Sequence, residues 1–217
     1  DEMFRLMTQG GGGLYDGGSS SLTNVTVSGN RATAPTDVPS NAGGGGIAVF
    51  GSGATTSFDT IANNSATGMV SLPGGSYVGA AGGGVYVGAG PFTTDDTIIG
   101  TNTATTYDNY SNTTTTGPDV DGAVTSRGHN LVGDPVDSTG WVVSDLTGDP
   151  GLGPLQDNGG PVIGATIPLN PYADPPLRAR THEVLSSSPA LQAGDATRSP
   201  ATDERGVARD TARPNIG

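Results

Sequence analysis

The chain of 217 residues carries 37 Gly and 16 Pro, with 33% hydrophobic and only 5% aromatic content. It sets 21 acidic residues against 9 basic ones, all of them Arg, for a net charge of −12. A field of that sign repels nucleic acid and anionic membranes, the absence of cysteine excludes disulfides and thiolate metal sites, and no apolar stretch approaches the roughly 20 residues of a spanning helix.

The chain opens Asp1-Glu2-Met3-Phe4 without an initiator Met or a signal peptide, so a processed product of a longer precursor is expected. Met3, Phe4, Leu6 and Met7 make an apolar, strand-like piece with no preceding coil to pack on. Two outlets are open to it: closing its own end of the fold, or adding as a strand to a neighbouring molecule's edge.

A repeat follows. Glycine clusters ending at Gly13, Gly46 and Gly84, 33 and 38 residues apart, precede Leu14-Tyr15, Ile47-Ala48-Val49 and Val85-Tyr86-Val87. Each unit then reaches a segment ending in Asn-x-Ala, with Asn30, Asn64 and Asn102 lying 17, 18 and 18 residues after the last Gly. A core of held length joined to a Pro/Ser/Thr-rich part of variable length is the signature of a solenoid coil. The apolar runs are too short for helices and rich in Val, Ile, Thr and Tyr, so they read as strands. Stacking them places Val27, Ile61 and Ile99 in one interior column and Asn30, Asn64 and Asn102 in a structural column at a turn, where amides hydrogen-bond along the axis. The expected fold is all-β: a right-handed parallel β-helix, with coils over residues 1–116. Residues 117–217 supply the last coils and a loop-rich carboxy-terminal cap of the same domain.

The Thr-rich loop before residue 116 holds the sequons Asn109-Tyr110-Ser111 and Asn112-Thr113-Thr114, so Asn109 and Asn112 are the candidate glycosylation sites. The sequons at Asn24 and Asn63 fall in strand regions, where burial is expected. Beyond it come Ser126-Arg127-Gly128-His129-Asn130-Leu131-Val132-Gly133-Asp134, Gly148-Asp149-Pro150-Gly151-Leu152-Gly153-Pro154-Leu155-Gln156-Asp157-Asn158-Gly159-Gly160-Pro161, Ser188-Pro189-Ala190-Leu191-Gln192-Ala193-Gly194-Asp195 and Thr202-Asp203-Glu204-Arg205-Gly206-Val207-Ala208-Arg209, closing on Asn215-Ile216-Gly217. This succession resembles the choice-of-anchor Q domain proteins of bacterial and archaeal surfaces, and the repeats are similar to those of polymorphic outer membrane proteins. The resemblance implies a pectate-lyase-like β-helix in large secreted proteins. It departs at Asn215, where the family has Asp, and in lacking the anchor expected beyond that motif.

Carboxylates are the only catalytic material. Asp95 and Asp96 are adjacent and point apart on a strand, whereas Asp119 and Asp121 share a face and are the candidate Ca²⁺ ligands; Asp134 and Asp137 form a third pair. No other cofactor is expected. The two histidines, His129 and His182, read as satisfied structural side chains, Asp203 and Arg205 as a turn clasp, and no Ser–His–Asp pattern stands out. The sequence therefore points to an extracellular or cell-surface structural or adhesive module, self-associating into fibres or binding extracellular glycans. The alternative is a carbohydrate-active β-helix, a polysaccharide lyase or glycoside hydrolase, or a glycan-binding relative of one.

Overall fold

A computed structural model describes residues 7–34, 40–69, 79–107, 113–115, 117–162 and 178–217. Met3, Phe4, Leu6, Asn109 and Asn112 lie outside the described residues. All regular structure is β, and nearly every strand pair is parallel, each strand bonding to its equivalent one coil later. The first sheet stacks Met7–Gly10, Ser40–Gly43 and Ala80–Ala81. Met7, one of the self-association candidates, pairs within its own chain opposite Ser40, on the strand at the edge of this sheet. The second sheet stacks Leu14–Asp16, Ile47–Val49 and Val85–Val87, and the third Ser19–Thr23, Gly53–Ser57 and Phe92–Asp95. Val120–Ser126 is long enough to extend both. The fourth runs Thr26–Ser28, Thr60–Ala62, Ile98–Gly100, Leu131–Val132 and Leu146–Thr147, and the fifth Arg31–Thr33, Ser65–Met69 and Thr103–Tyr107. No helix among the described residues is long and apolar enough to cross a membrane.

The corners explain the residue types of the repeat. Gly11, Gly44, Gly82 and Gly117 turn the chain between the first two sheets with φ of +77°, +64°, +58° and +47°, a region closed to most side chains. One residue on, the main chain passes so close to its neighbours that a Cβ on Gly45 would lie 2.4 Å from the Gly83 oxygen and from the Ser65 carbonyl. Those are backbone atoms and cannot swing aside. Gly45→Ala is expected to lower stability by about 3 kcal/mol, read as a reduced midpoint in equilibrium denaturation with unchanged m-value.

Between the sheets lie two cores. Val27, Ile61, Ile99 and Val132 occupy one register column at 8%, 0%, 0% and 1% exposure, packed with Ile47, Val85, Val120 and Phe92. The alanines of the Asn-x-Ala segments, Ala32, Ala66 and Ala104, meet Ala42 and Ala80 of the first sheet. Only small side chains fit where the first and fifth sheets close on each other.

The asparagines form a one-way hydrogen-bond column. Asn30 donates its main-chain N–H and Nδ2 to Asn64 Oδ1 at 3.0 Å each. Asn64 repeats this toward Asn102 Oδ1 at 2.9 and 3.0 Å, and Asn102 toward Asp119 Oδ1 at 3.0 and 2.8 Å. Side bonds from Asn64 to the Val27 carbonyl and from Asn102 to the Ile61 carbonyl, 2.8 and 3.0 Å, tie the column to the core strand. Register shows how it stops. In the fourth coil the Gly84 position is taken by Asp119 and the Asn102 position by Pro135. The Asp119 side chain fills the room an asparagine would have used, and a carboxylate needs only to accept.

The carboxy-terminal region divides in two. Residues 135–147 add a partial coil: Ser138–Thr139 pairs with Gly122 and Ala123, Trp141 packs on the interior cluster, and its Nε1 donates to Ser138 Oγ at 2.9 Å. The described part of the rest, residues 148–162 and 178–217, is a wrapping segment. It runs lengthwise down the outer face of the fourth sheet, because that face carries Ile98 beside Leu131, and Ile216 and Ala190 bury them.

Candidate functional site

The seam between the fourth sheet and this lengthwise segment gathers most of the unusual polar groups. At its near end Thr26 Oγ1 donates to Glu204 Oε2 at 2.5 Å. Asn24 binds the segment through Nδ2 to the Thr202 carbonyl, 3.0 Å, and accepts from Arg209 Nη2 at 2.9 Å. The Arg209 guanidinium lies 4.8 Å from the centre of the Phe58 ring. Phe58 sits at a corner with φ of +54°, in column with Asn24, Asp96 and His129 at +56°, +49° and +58°. At a second point the hairpin Leu152–Gln156/Thr181–Val184 presents His182 to Ser28. Nδ1 lies 2.7 Å from the Gly153 carbonyl and must carry the proton, so Nε2 accepts from Ser28 Oγ at 2.8 Å. Farther along, Asp96 Oδ1 accepts from the Asp195 N–H at 2.6 Å, and the Gly217 N–H bonds the Asp96 carbonyl at 2.9 Å.

A cavity of about 350 Å³ opens in the seam, lined among others by Thr26, Phe58, Thr60, His182, Glu204 and Arg209. Burial dominates its electrostatics. Asp59, fully buried behind it, is pushed up to about 7 even though the Val25 and Ser57 N–H groups favour its charged form. Asp96 is pushed up to about 6 by burial against the pull of the Asp195 N–H, and its Oδ2 has no hydrogen-bond partner among the described residues. Burial also raises Glu204 and lowers Arg209. Asp195 is held down near 2, chiefly by the Thr197 hydroxyl and N–H.

The sequence-selected acids do not converge. Asp95 accepts from Ser57 Oγ at 2.7 Å, on a different partner from Asp96. Asp119 and Asp121 do not form a shared cation site: Asp119 is spent inside the column and on the Asp134 N–H at 2.7 Å. Asp121 stands across from Tyr86 in the next strand, raised by burial and by Asp137. Asp134 and Asp137 accept from the Val136 and Gly117 N–H groups. Among the described residues, no group of three or more His, Asp or Glu side chains is placed to hold a metal. His129 Nδ1 bonds the Ala193 carbonyl at 2.8 Å, and Asp203 closes its turn on the Arg205 guanidinium at 2.6 Å.

The sequence reading missed Asn24, Thr26 and Ser28 as seam residues. Their partners lie up to 185 positions away, and no spacing rule links them. Along the second sheet the Tyr15 and Phe50 rings stack with centroids 5.4 Å apart, and Tyr86 tilts against Phe50 at 5.7 Å. Ala48 lies in register between the tyrosines, leaving room for the Phe50 ring. The chain matches no family model, no curated protein and no solved structure.

Proposed function

We propose that this chain is a secreted or cell-surface structural or adhesive module built as a right-handed parallel β-helix. The observation that carries the reading is where its polar groups go. The interior asparagines, Asp59, Asp119 and Asp145 all bond neighbouring coils, and the seam groups Glu204, Asn24, Arg209 and His182 bond the lengthwise segment to the coils. Polar chemistry that an enzyme would aim at a substrate is used here to lock one coil to the next. The resemblance of the repeats and of the Gly148–Pro161 and Thr202–Arg209 motifs to choice-of-anchor Q domain proteins supports an extracellular setting. Extracellular glycans or further copies of the chain are the natural partners of such a module.

The test is incubation with pectin, alginate and neutral polysaccharides, followed by assays for new reducing ends and for the absorbance of unsaturated uronates. No product is expected. Turnover that disappears when Asp121 and Asp137 are both changed to Asn would replace this reading with that of a carbohydrate-active β-helix.

A further inference from the structure

The seam cavity of about 350 Å³ is built from two parts of the chain. Thr26 and Thr60, in register on neighbouring strands of the fourth sheet, stand on one wall. The hairpin strand Thr181–Val184 and turns between Asp203 and Gly217 make the other. Three of the chain's nine arginines, Arg205, Arg209 and Arg213, line it against four carboxylates, Glu183, Asp203, Glu204 and Asp210. A protein of net charge −12 thus holds a nearly neutral hollow crowded with donors and acceptors.

Much of that charge is compensated within the wall itself. Arg205 closes on Asp203 at 2.6 Å, and Arg209 is held by Asn24 Oδ1 and the Gly217 carbonyl. What remains is hydrogen-bonding capacity and not net charge. Among the described residues the Arg213 guanidinium and the Glu183 carboxylate make no hydrogen bond or ion pair, and Asp210 uses only Oδ1, on the Ala212 and Arg213 N–H groups. Val184, Val207 and Ala208 add an apolar stretch. An anion entering here meets four carboxylates, and a cation meets three guanidiniums. A flat aromatic ligand finds no ring to stack on, because Phe58 is 1% exposed beneath the Arg209 guanidinium. A neutral polyhydroxylated ring suits the wall: each hydroxyl both donates and accepts, and its C–H face can lie on the valines. The volume, at the small end for ligand pockets, takes roughly one or two pyranose rings.

We infer that the seam cavity binds a neutral mono- or disaccharide unit of an extracellular glycan, held between the fourth sheet and the lengthwise segment. The inference rests on the adhesive reading above and gives its glycan contact a place. Because the two walls belong to distant parts of the chain, a bound sugar bridges them and opposes detachment of the segment.

The experiment is saturation-transfer NMR with calorimetry on the whole chain, using maltose, cellobiose, lactose, mannobiose and chitobiose. Galacturonate, glucosamine and diglycine serve as anionic, cationic and zwitterionic probes. At least one neutral disaccharide is expected to bind, more tightly than every charged probe, and to slow proteolysis between residues 185 and 217. Val207→Trp, which fills the cavity from a 51% exposed position, is expected to raise the dissociation constant roughly tenfold or more. Arg213→Ala, which removes an uncommitted donor, is expected to raise it about fivefold. Val143→Trp, at a fully exposed position on the partial coil, is expected to leave it unchanged. Binding of none of the five disaccharides overturns the inference. So does a charged probe that binds as tightly as the best of them, or binding indifferent to both V207W and R213A. Absence of binding does not bear on the polysaccharide assays, so the structural reading stands or falls separately. Polysaccharide cleavage that V207W abolishes would overturn both, by placing an active site in the seam.

Discussion

Asn102→Ala is expected to destabilise the protein by about 4 kcal/mol, a large fraction of the total stability of a domain this size. The side chain is 5% exposed and has bonds in every direction. Its Oδ1 takes two donors from Asn64, and its Nδ2 gives to the Ile61 carbonyl and to the Asp119 carboxylate. Truncation leaves the buried Asn64 N–H and Nδ2 without that acceptor and removes one donor from a buried charge. Orphaned buried groups cost roughly 1–3 kcal/mol each, more for charges. The same change at Asn30 is expected to cost only about 1 kcal/mol, since no preceding member of the column depends on it. Chemical denaturation of the two variants measures the contrast. Equal losses at both positions would show that the column does not act as a relay from coil to coil.

The second large effect is a fall in stability as pH rises toward neutrality. Asp59 and Asp96 are raised in the folded protein to about 7 and about 6, against roughly 3.9 in the unfolded chain. The folded state therefore holds protons that the unfolded state has released. Stability from these groups is fully present below pH 4 and is lost as pH climbs through 6 and 7, at about 1.4 kcal/mol per unit for each group. For Asp59 alone the change is on the order of 4 kcal/mol. Glu204 and Asp119, both raised by burial, act in the same direction. Asp195, held down near 2, opposes them only in strong acid. Thermal unfolding is expected to give a higher Tm at pH 5 than at pH 8, and Asp59→Asn to flatten that slope. A Tm that rises from pH 5 to pH 8 would falsify the account. Because Asp96 and Glu204 bond the lengthwise segment, that segment should become sensitive to protease first.

The repeat was legible because coil stacking imposes translation on sequence. Val27, Ile61 and Ile99, and Asn30, Asn64 and Asn102, recur at matching places since each must meet its own kind one coil on. The corner between the third and fourth sheets was not legible. Its column reads Asn24, Phe58, Asp96 and His129, four residue types held by one backbone conformation: the first two meet Arg209, the others the Asp195 N–H and the Ala193 carbonyl. That segment repeats nothing. Its position follows from contacts such as Thr26 with Glu204, 178 residues apart, and from the apolar outer face at Ile98 and Leu131. The Asp119 misreading has a local cause. Two acids at i and i+2 share a strand face only when both are in the strand, and the strand begins at Val120, so Asp119 lies at the corner before it.

The direction of the asparagine column governs how a molecule of this kind can change length. Each middle coil both gives and receives, so copying the 38-residue stretch from Ile47 to Gly84 inserts a unit whose upper and lower surfaces already match its neighbours. The fourth coil follows a different grammar: with Asp119 and Pro135 it receives the asparagine column and does not continue it, handing on only to a partial coil through Asn130 and Asp145. Growth by duplication of a column-bearing coil is therefore open in the interior and closed after the fourth coil, as a sentence admits new clauses before its closing phrase and none after it.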